Sequence, residues 1–158
     1  MKINGFSLLE MLVVSLIIGI LAAIAMPQYQ LAVEKSRAAE AITIVRSLRD
    51  AQFNYFLING KYSSDINNLD LSFSGEDAEY SGVARKESKN FSYAVKNTEN
   101  ELAVATRKPI IKDYVIKAQK QQLICRVYSD FGRSLCKSFG GEQVTDMAGG
   151  SYEAYEVK

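Results

Sequence analysis

Apolar residues are spread unevenly along the chain. Residues 6–26 read FSLLEMLVVSLIIGILAAIAM, with one charge, Glu10, and two serines. As a helix rising about 1.5 Å per residue, this run spans roughly 31 Å, close to the ~30 Å hydrocarbon core of a bilayer. Beyond Pro27 the pattern becomes periodic. Ala38, Ala41, Val45, Leu48, Gln52 and Tyr55 recur at spacings of 3, 4, 3, 4 and 3, and Ile42 widens the stripe. Glu34, Arg37, Glu40, Arg46, Arg49 and Asp50 fall mostly off it. That period predicts an amphipathic helix over residues 28–58, laid on a core and continuing a hydrophobic helix over residues 6–27. Asn59-Gly60 supplies the stop, with glycine just past the last turn. Gly19 and Pro27 interrupt the helix, and Pro27 removes one backbone hydrogen bond.

After Gly60 the helical period is lost. Residues 59–90, rich in Ser, Asn, Asp and Gly, read as a connecting loop with little regular structure. Short alternating segments follow at residues 91–95, 102–106, 114–116 and 123–128, and these predict strands. Their short connections favour antiparallel pairing. The expected fold is therefore α+β: one long helix on a small antiparallel sheet of about four strands within residues 91–158.

Composition narrows the chemistry. The 158 residues include no histidine and no tryptophan, so Ser-His-Asp and Cys-His catalysis and His-ligated metal sites are excluded. The two cysteines are too few for a Cys-only zinc or iron–sulfur site within one chain. No cofactor or metal site is expected, since the acids of the C-terminal tail match no calcium loop. The 19 Lys+Arg nearly balance 18 Asp+Glu, so overall charge gives no reason to expect a polyanionic partner. Locally the balance fails. Residues 63–82 hold Asp65, Asp70, Glu76, Asp77 and Glu79 without a base, whereas residues 107–126 hold Arg107, Lys108, Lys112, Lys117, Lys120 and Arg126 against Asp113 alone. The basic strip reads as a solvated face, as the complement of a neighbouring subunit's acidic loop, or as a binding surface for DNA or another anion. The regular aromatic interleaving of a single-strand groove is missing from it.

Three readings compete for the N-terminus. Ala23-Ile24-Ala25 resembles a signal-peptide cleavage site, which would make the chain a secreted enzyme or binding protein, but the apolar run exceeds the usual ~7–15 residues. A plain membrane anchor fits the length and leaves Glu10 unexplained. The third reading supplies a partner for Glu10. Gly5-Phe6-Ser7-Leu8-Leu9-Glu10, behind the short leader of residues 1–5, resembles the processing signal of the type IV pilins and of the related pseudopilins of type II secretion. The resemblance implies a membrane peptidase that cuts after Gly5 and N-methylates Phe6. The new amine at Phe6 is cationic at neutral pH and meets the Glu10 anion of an adjacent copy, fixing axial register during assembly.

The same resemblance implies the rest of the biology. Partners are identical subunits in a helical homopolymer, the prepilin peptidase and N-methyltransferase, and a pilus or secretion assembly platform with its ATPase. The precursor sits as a single-pass protein in a bacterial inner membrane, then enters a cell-surface or periplasmic filament. The stretch from Gly19 to Pro27 is the part that can unwind there. Cys125 and Cys136, outside the cytoplasm and eleven positions apart, are expected to pair as a disulfide. They resemble the C-terminal cysteine pair of the pilins, which the major pseudopilins generally lack. A pilus subunit is thus expected ahead of a secretion pseudopilin.

Overall fold

The computed structural model describes residues 7–109, 113–146 and 152–158. Helix α1 runs from Leu8 to Asn59, 52 residues, or roughly 78 Å at ~1.5 Å per residue. Its start is a capping box: Ser7 accepts from Leu9 N through its Oγ at 3.3 Å, and Glu10 accepts from Ser7 N at 2.7 Å. Its end is Gly60 at φ 67°, whose N–H bonds to Phe56 O at 2.8 Å. The left-handed conformation that closes the helix is available to glycine without steric cost. The helix continues without a break through Gly19 and Pro27.

Eight strands form one antiparallel sheet among the described residues: β1 (Glu76–Tyr80), β2 (Val83–Glu87), β3 (Phe91–Thr98), β4 (Glu101–Arg107), β5 (Tyr114–Ala118), β6 (Leu123–Val127), β7 (Gly140–Asp146) and β8 (Tyr152–Val157). Their order is β1-β2-β3-β4-β5-β6-β8-β7. A second helix, α2 (Asp130–Lys137), lies between β6 and β7 in the chain. The α+β class is as expected, with β3 to β6 at the four anticipated segments. The sheet, however, has eight strands rather than four.

The four additional strands lie where alternation of side chains is weakest. β1 reads EDAEY and is exposed at the sheet edge, so the main-chain ladder to β2 holds it rather than apolar burial. The turn between them, Ser81 (φ 52°) and Gly82 (φ 75°), has the two positive φ values of a tight hairpin. The segment 59–90 is therefore not an irregular loop throughout, since it also includes a short 3-10 helix at Ile66–Asn68. At the other edge, β7 and β8 pair across residues far apart in hydrophobic pattern. Gly141 allows this, because a Cβ there would stand 1.8 Å from Glu156 O.

The core lies between α1 and the sheet. Ala38, Ala41, Ile42, Val45 and Leu48 meet Phe91, Tyr93, Ala103, Ala105, Tyr114 and Ile116. Small alanines on facing positions let the helix approach closely, and the tyrosines fill the remaining volume. The core takes in α1 only from Leu31 onward. From Leu8 to Tyr29 every residue is exposed.

Candidate functional site

The N-terminal shaft has the simplest chemistry. Leu8, Leu16, Ile18, Leu21 and Ile24 are each at least 60% exposed, and the helix is long and apolar enough to cross a membrane by length and composition. A contiguous apolar surface of this size on a soluble body requires a partner or a bilayer. Glu10 is the single acid in its first turns, and its carboxylate closes on Ser7 N. That nitrogen belongs to the residue after Phe6, so the Glu10 carboxylate, four positions along the chain, is engaged next to the expected new terminus. Gly5 and Phe6 themselves lie outside the described residues.

The shaft is held to the sheet by two polar joints. The first is Glu34. Its carboxylate takes the Arg107 guanidinium in a two-point contact, the Tyr114 hydroxyl at 2.8 Å and Arg37 at 3.2 Å. Burial works against its charge, yet these donors outweigh burial and hold the carboxyl below its ordinary range. Burial, together with the bond to Glu34, pushes the Tyr114 phenol up.

Gln52, 0% exposed, makes the second joint. Its Nε2 donates toward Ser63 O (2.8 Å), Lys96 O (3.1 Å) and Leu102 O (3.2 Å), and its Oε1 accepts from Ser63 N at 2.9 Å. Lys96 and Leu102 lie where the β3–β4 register shifts between Val95 and Thr98. A ladder interrupted there leaves backbone carbonyls without cross-strand partners, and the amide supplies them. The helical period places Gln52 on the same stripe as Ala38, Ala41, Val45 and Leu48. Its polarity inside that stripe was the available signal.

The C-terminal region is fastened by the Cys125–Cys136 disulfide, with Cα atoms 5.5 Å apart, which ties α2 to β6. Both sulfurs are buried, and Leu135 packs with them. The N-terminus of α2 is capped by Ser129, which accepts from Gly132 N at 3.0 Å and donates to Asp113 at 2.8 Å.

The basic strip differs from a free cationic surface. Arg107 binds Glu34, Lys108 binds Glu87 at 2.7 Å, Lys117 binds Glu101 at 2.8 Å, Lys120 binds Glu99 at 2.6 Å, and Arg126 binds Asp146. Lys112 lies outside the described residues. Carboxylates contributed by other segments satisfy the strip within the chain, a pairing that local charge counting could not detect. Its support for DNA binding or for an acidic neighbouring loop falls accordingly. Among the described residues no group of three His, Cys, Asp or Glu side chains could hold a metal ion.

Comparison with known proteins places these features. Residues 1–26 match the family model for the prokaryotic N-terminal methylation motif. The chain is 33% identical over 101 residues to a type IV major pilin protein PilE1 of Neisseria gonorrhoeae, covering 64% of this chain and 55% of that one. It is 37% identical over 62 residues to a fimbrial protein of Neisseria meningitidis, covering 39% and 36%. It is 40% identical over 66 residues to the type IV major pilin protein PilA of Myxococcus xanthus, covering 42% and 30%. The matches span about half or less of these relatives' lengths. No solved structure matches. The chain thus carries the methylation motif and is related in sequence to type IV major pilins.

Proposed function

We propose that this chain is a structural, non-catalytic subunit of a type IV pilus: a precursor stored in the membrane, cut after Gly5, N-methylated at Phe6 and polymerised into a helical filament. The observation that carries the reading is the bare apolar shaft. Residues 8–26 project from a well-packed α1–sheet body with every side chain exposed and one carboxylate, Glu10, at the leading end.

Stored in a bilayer, the shaft meets hydrocarbon. In the filament, the shafts of neighbouring subunits replace lipid around one another. Glu10 then decides register. Before processing, its carboxylate is satisfied by its own helix start. Cutting after Gly5 creates an amine at Phe6, and a neighbour's Glu10 is its natural counter-ion. A copy displaced along the axis leaves both charges unpaired in an apolar medium, at a cost of several kcal/mol. Gly19 and Pro27 mark where the shaft can unwind as it packs, since irregular backbone is tolerated at membrane depth only when protein covers it.

The finer organisation belongs to the same proposal: a leader at residues 1–5, a filament-core helix at 6–27, an amphipathic continuation at 28–58, a connecting region at 59–90 and a disulfide-bounded sheet region at 91–158. So do the prepilin peptidase, the assembly platform with its ATPase, and a single pass through the inner membrane. A type II secretion pseudopilin would use the same shaft. The Cys125–Cys136 pair favours the pilus subunit.

The test is mass spectrometry of the mature chain with filament yield. The expected mature terminus is a methylated Phe6, and Glu10→Gln and Glu10→Ala insert into the membrane yet give no filaments. A chain that retains residues 1–5 beside an active peptidase, or normal filaments from both variants, refutes the proposal.

A further inference from the structure

On the sheet face turned away from α1 lies a pocket of about 230 Å³, floored by Val104 and Val115 of the small apolar cluster there. Arg85 of β2, Lys96 of β3, Lys117 of β5 and Arg126 of β6 line it, with Glu101 and the hydroxyls of Thr106 and Tyr128. The antiparallel order β2-β3-β4-β5-β6 brings these side chains together across five adjacent strands. Lys117 and Arg126 are only 4% and 6% exposed, so their charges belong to a built site and not to a solvated surface.

The charges in this site do not cancel. Glu101 is shared by Lys96 at 2.7 Å and Lys117 at 2.8 Å, and Asp146 is shared by Lys117 at 3.2 Å and Arg126. Among the described residues, four cations against these two carboxylates leave a surplus of two positive charges. Arg85 forms none of the ion pairs among the described residues, and its guanidinium lies over the Tyr80 ring, 5.3 Å from the centroid. Its Nε is buried without a hydrogen-bond partner, and its Nη1 reaches Ser92 Oγ only at 3.5 Å. Glu87, the carboxylate on its own strand, is held by Lys108 at 2.7 Å. Buried guanidinium donors are ordinarily satisfied.

We infer that this pocket binds the phosphoryl group of a small phosphate monoester. The surplus matches a phosphate charge of about −1.5 to −2. The Arg85 fork suits two phosphoryl oxygens, Lys96 at the rim supplies a third donor, and the fixed charges of Lys117 and Arg126 set the field. The volume exceeds that of phosphate alone and leaves room for a short organic group. The site is independent of the shaft, so its fate does not depend on the assembly proposal.

The experiment is calorimetric titration of the full chain in detergent with inorganic phosphate and with glycerol phosphate, each at ionic strength matched with chloride. Saturable one-to-one binding is expected. It weakens at least tenfold in Arg85→Gln and in Lys96→Gln, and is unchanged in Lys120→Gln, whose exposed charge lies outside the pocket. Lys96 is half exposed, so Lys96→Gln preserves the test should Arg85→Gln unfold. Tighter binding of glycerol phosphate supports an ester as ligand, and binding of inorganic phosphate alone overturns the ester in favour of an adventitious ion only. The inference also fails if neither probe binds above the chloride control, or if Lys120→Gln weakens binding as much as the pocket variants.

Discussion

Replacing Gln52 by Leu tests whether one buried amide joins the helix to the sheet. The substitution keeps most of the side-chain volume and its contacts with the apolar stripe, so lost packing contributes little. It removes the acceptor for Ser63 N and the donor for the carbonyls of Ser63, Lys96 and Leu102. An orphaned buried backbone group costs about 1–3 kcal/mol. The Ser63 N–H bears that cost in full, the carbonyls share it because one NH₂ cannot serve three acceptors equally, and burying a leucine in place of an amide offsets part. The net expectation is a loss of about 3 kcal/mol, or roughly 10 °C in Tm for a chain of this size. Thermal unfolding of the detergent-solubilised full chain, followed by near-ultraviolet circular dichroism, measures it. Amide exchange at Ser63 should accelerate in parallel. Gln52→Glu is a sharper control, because a carboxylate would face three carbonyl oxygens. Burial and those oxygens would raise its folded-state pKa, so this variant should be worst at neutral pH and recover as pH falls. A Gln52→Leu protein within 0.5 kcal/mol of the parent by the same assay, well under the cost of one orphaned group, would show that the bulge satisfies itself.

Three further outcomes follow from the same geometry. Glu34→Ala should cost about 3 kcal/mol at neutral pH by stranding Arg107 and the Tyr114 hydroxyl. Because the Glu34 carboxyl is held below its ordinary range, its stabilisation is present at neutral pH and is lost as pH falls through the folded-state value. A plot of Tm against pH should therefore be flatter below the ordinary carboxylate range in the variant, and parallel curves would count against the joint. Replacing both Cys125 and Cys136 with Ala should cost about 3 kcal/mol on the chain-entropy account of a loop of this length. Thiol reductant should lower the Tm of the parent and leave that variant unmoved. Gly19→Ala meets nothing within 4 Å and should strengthen the monomeric helix by about 1 kcal/mol. If the Gly19–Pro27 stretch unwinds in filaments, their yield should fall, and an unchanged yield measured by sedimentation rules that step out.

Much of the candidate site could be read along the chain because it is local. The capping box needs residues three positions apart, and Ser7 and Glu10 supply them. The helix end at Asn59-Gly60 and the central strands β3 to β6 follow from turn chemistry and alternation over a few residues. The polar joints were hidden for the opposite reason. Glu34 meets Arg107 across 73 positions, and Gln52 meets Leu102 across 50, so no window on the chain contains both partners. The partners of the basic strip were hidden by the same route, since its counter-ions arrive from β2, β4, β7, α1 and a hairpin loop.

A run of apolar residues with one acid at its head declares a shaft for lipid or for its own kind, whatever the rest of the chain does, because transfer from water depends on composition summed along a helix. The outer strands, the patched bulge and the cation-lined pocket exist only once the sheet is assembled. Main-chain pairing recruits β1 and β7 regardless of their side chains, and charges far apart in the chain acquire partners, or go without them, only when eight strands lie side by side.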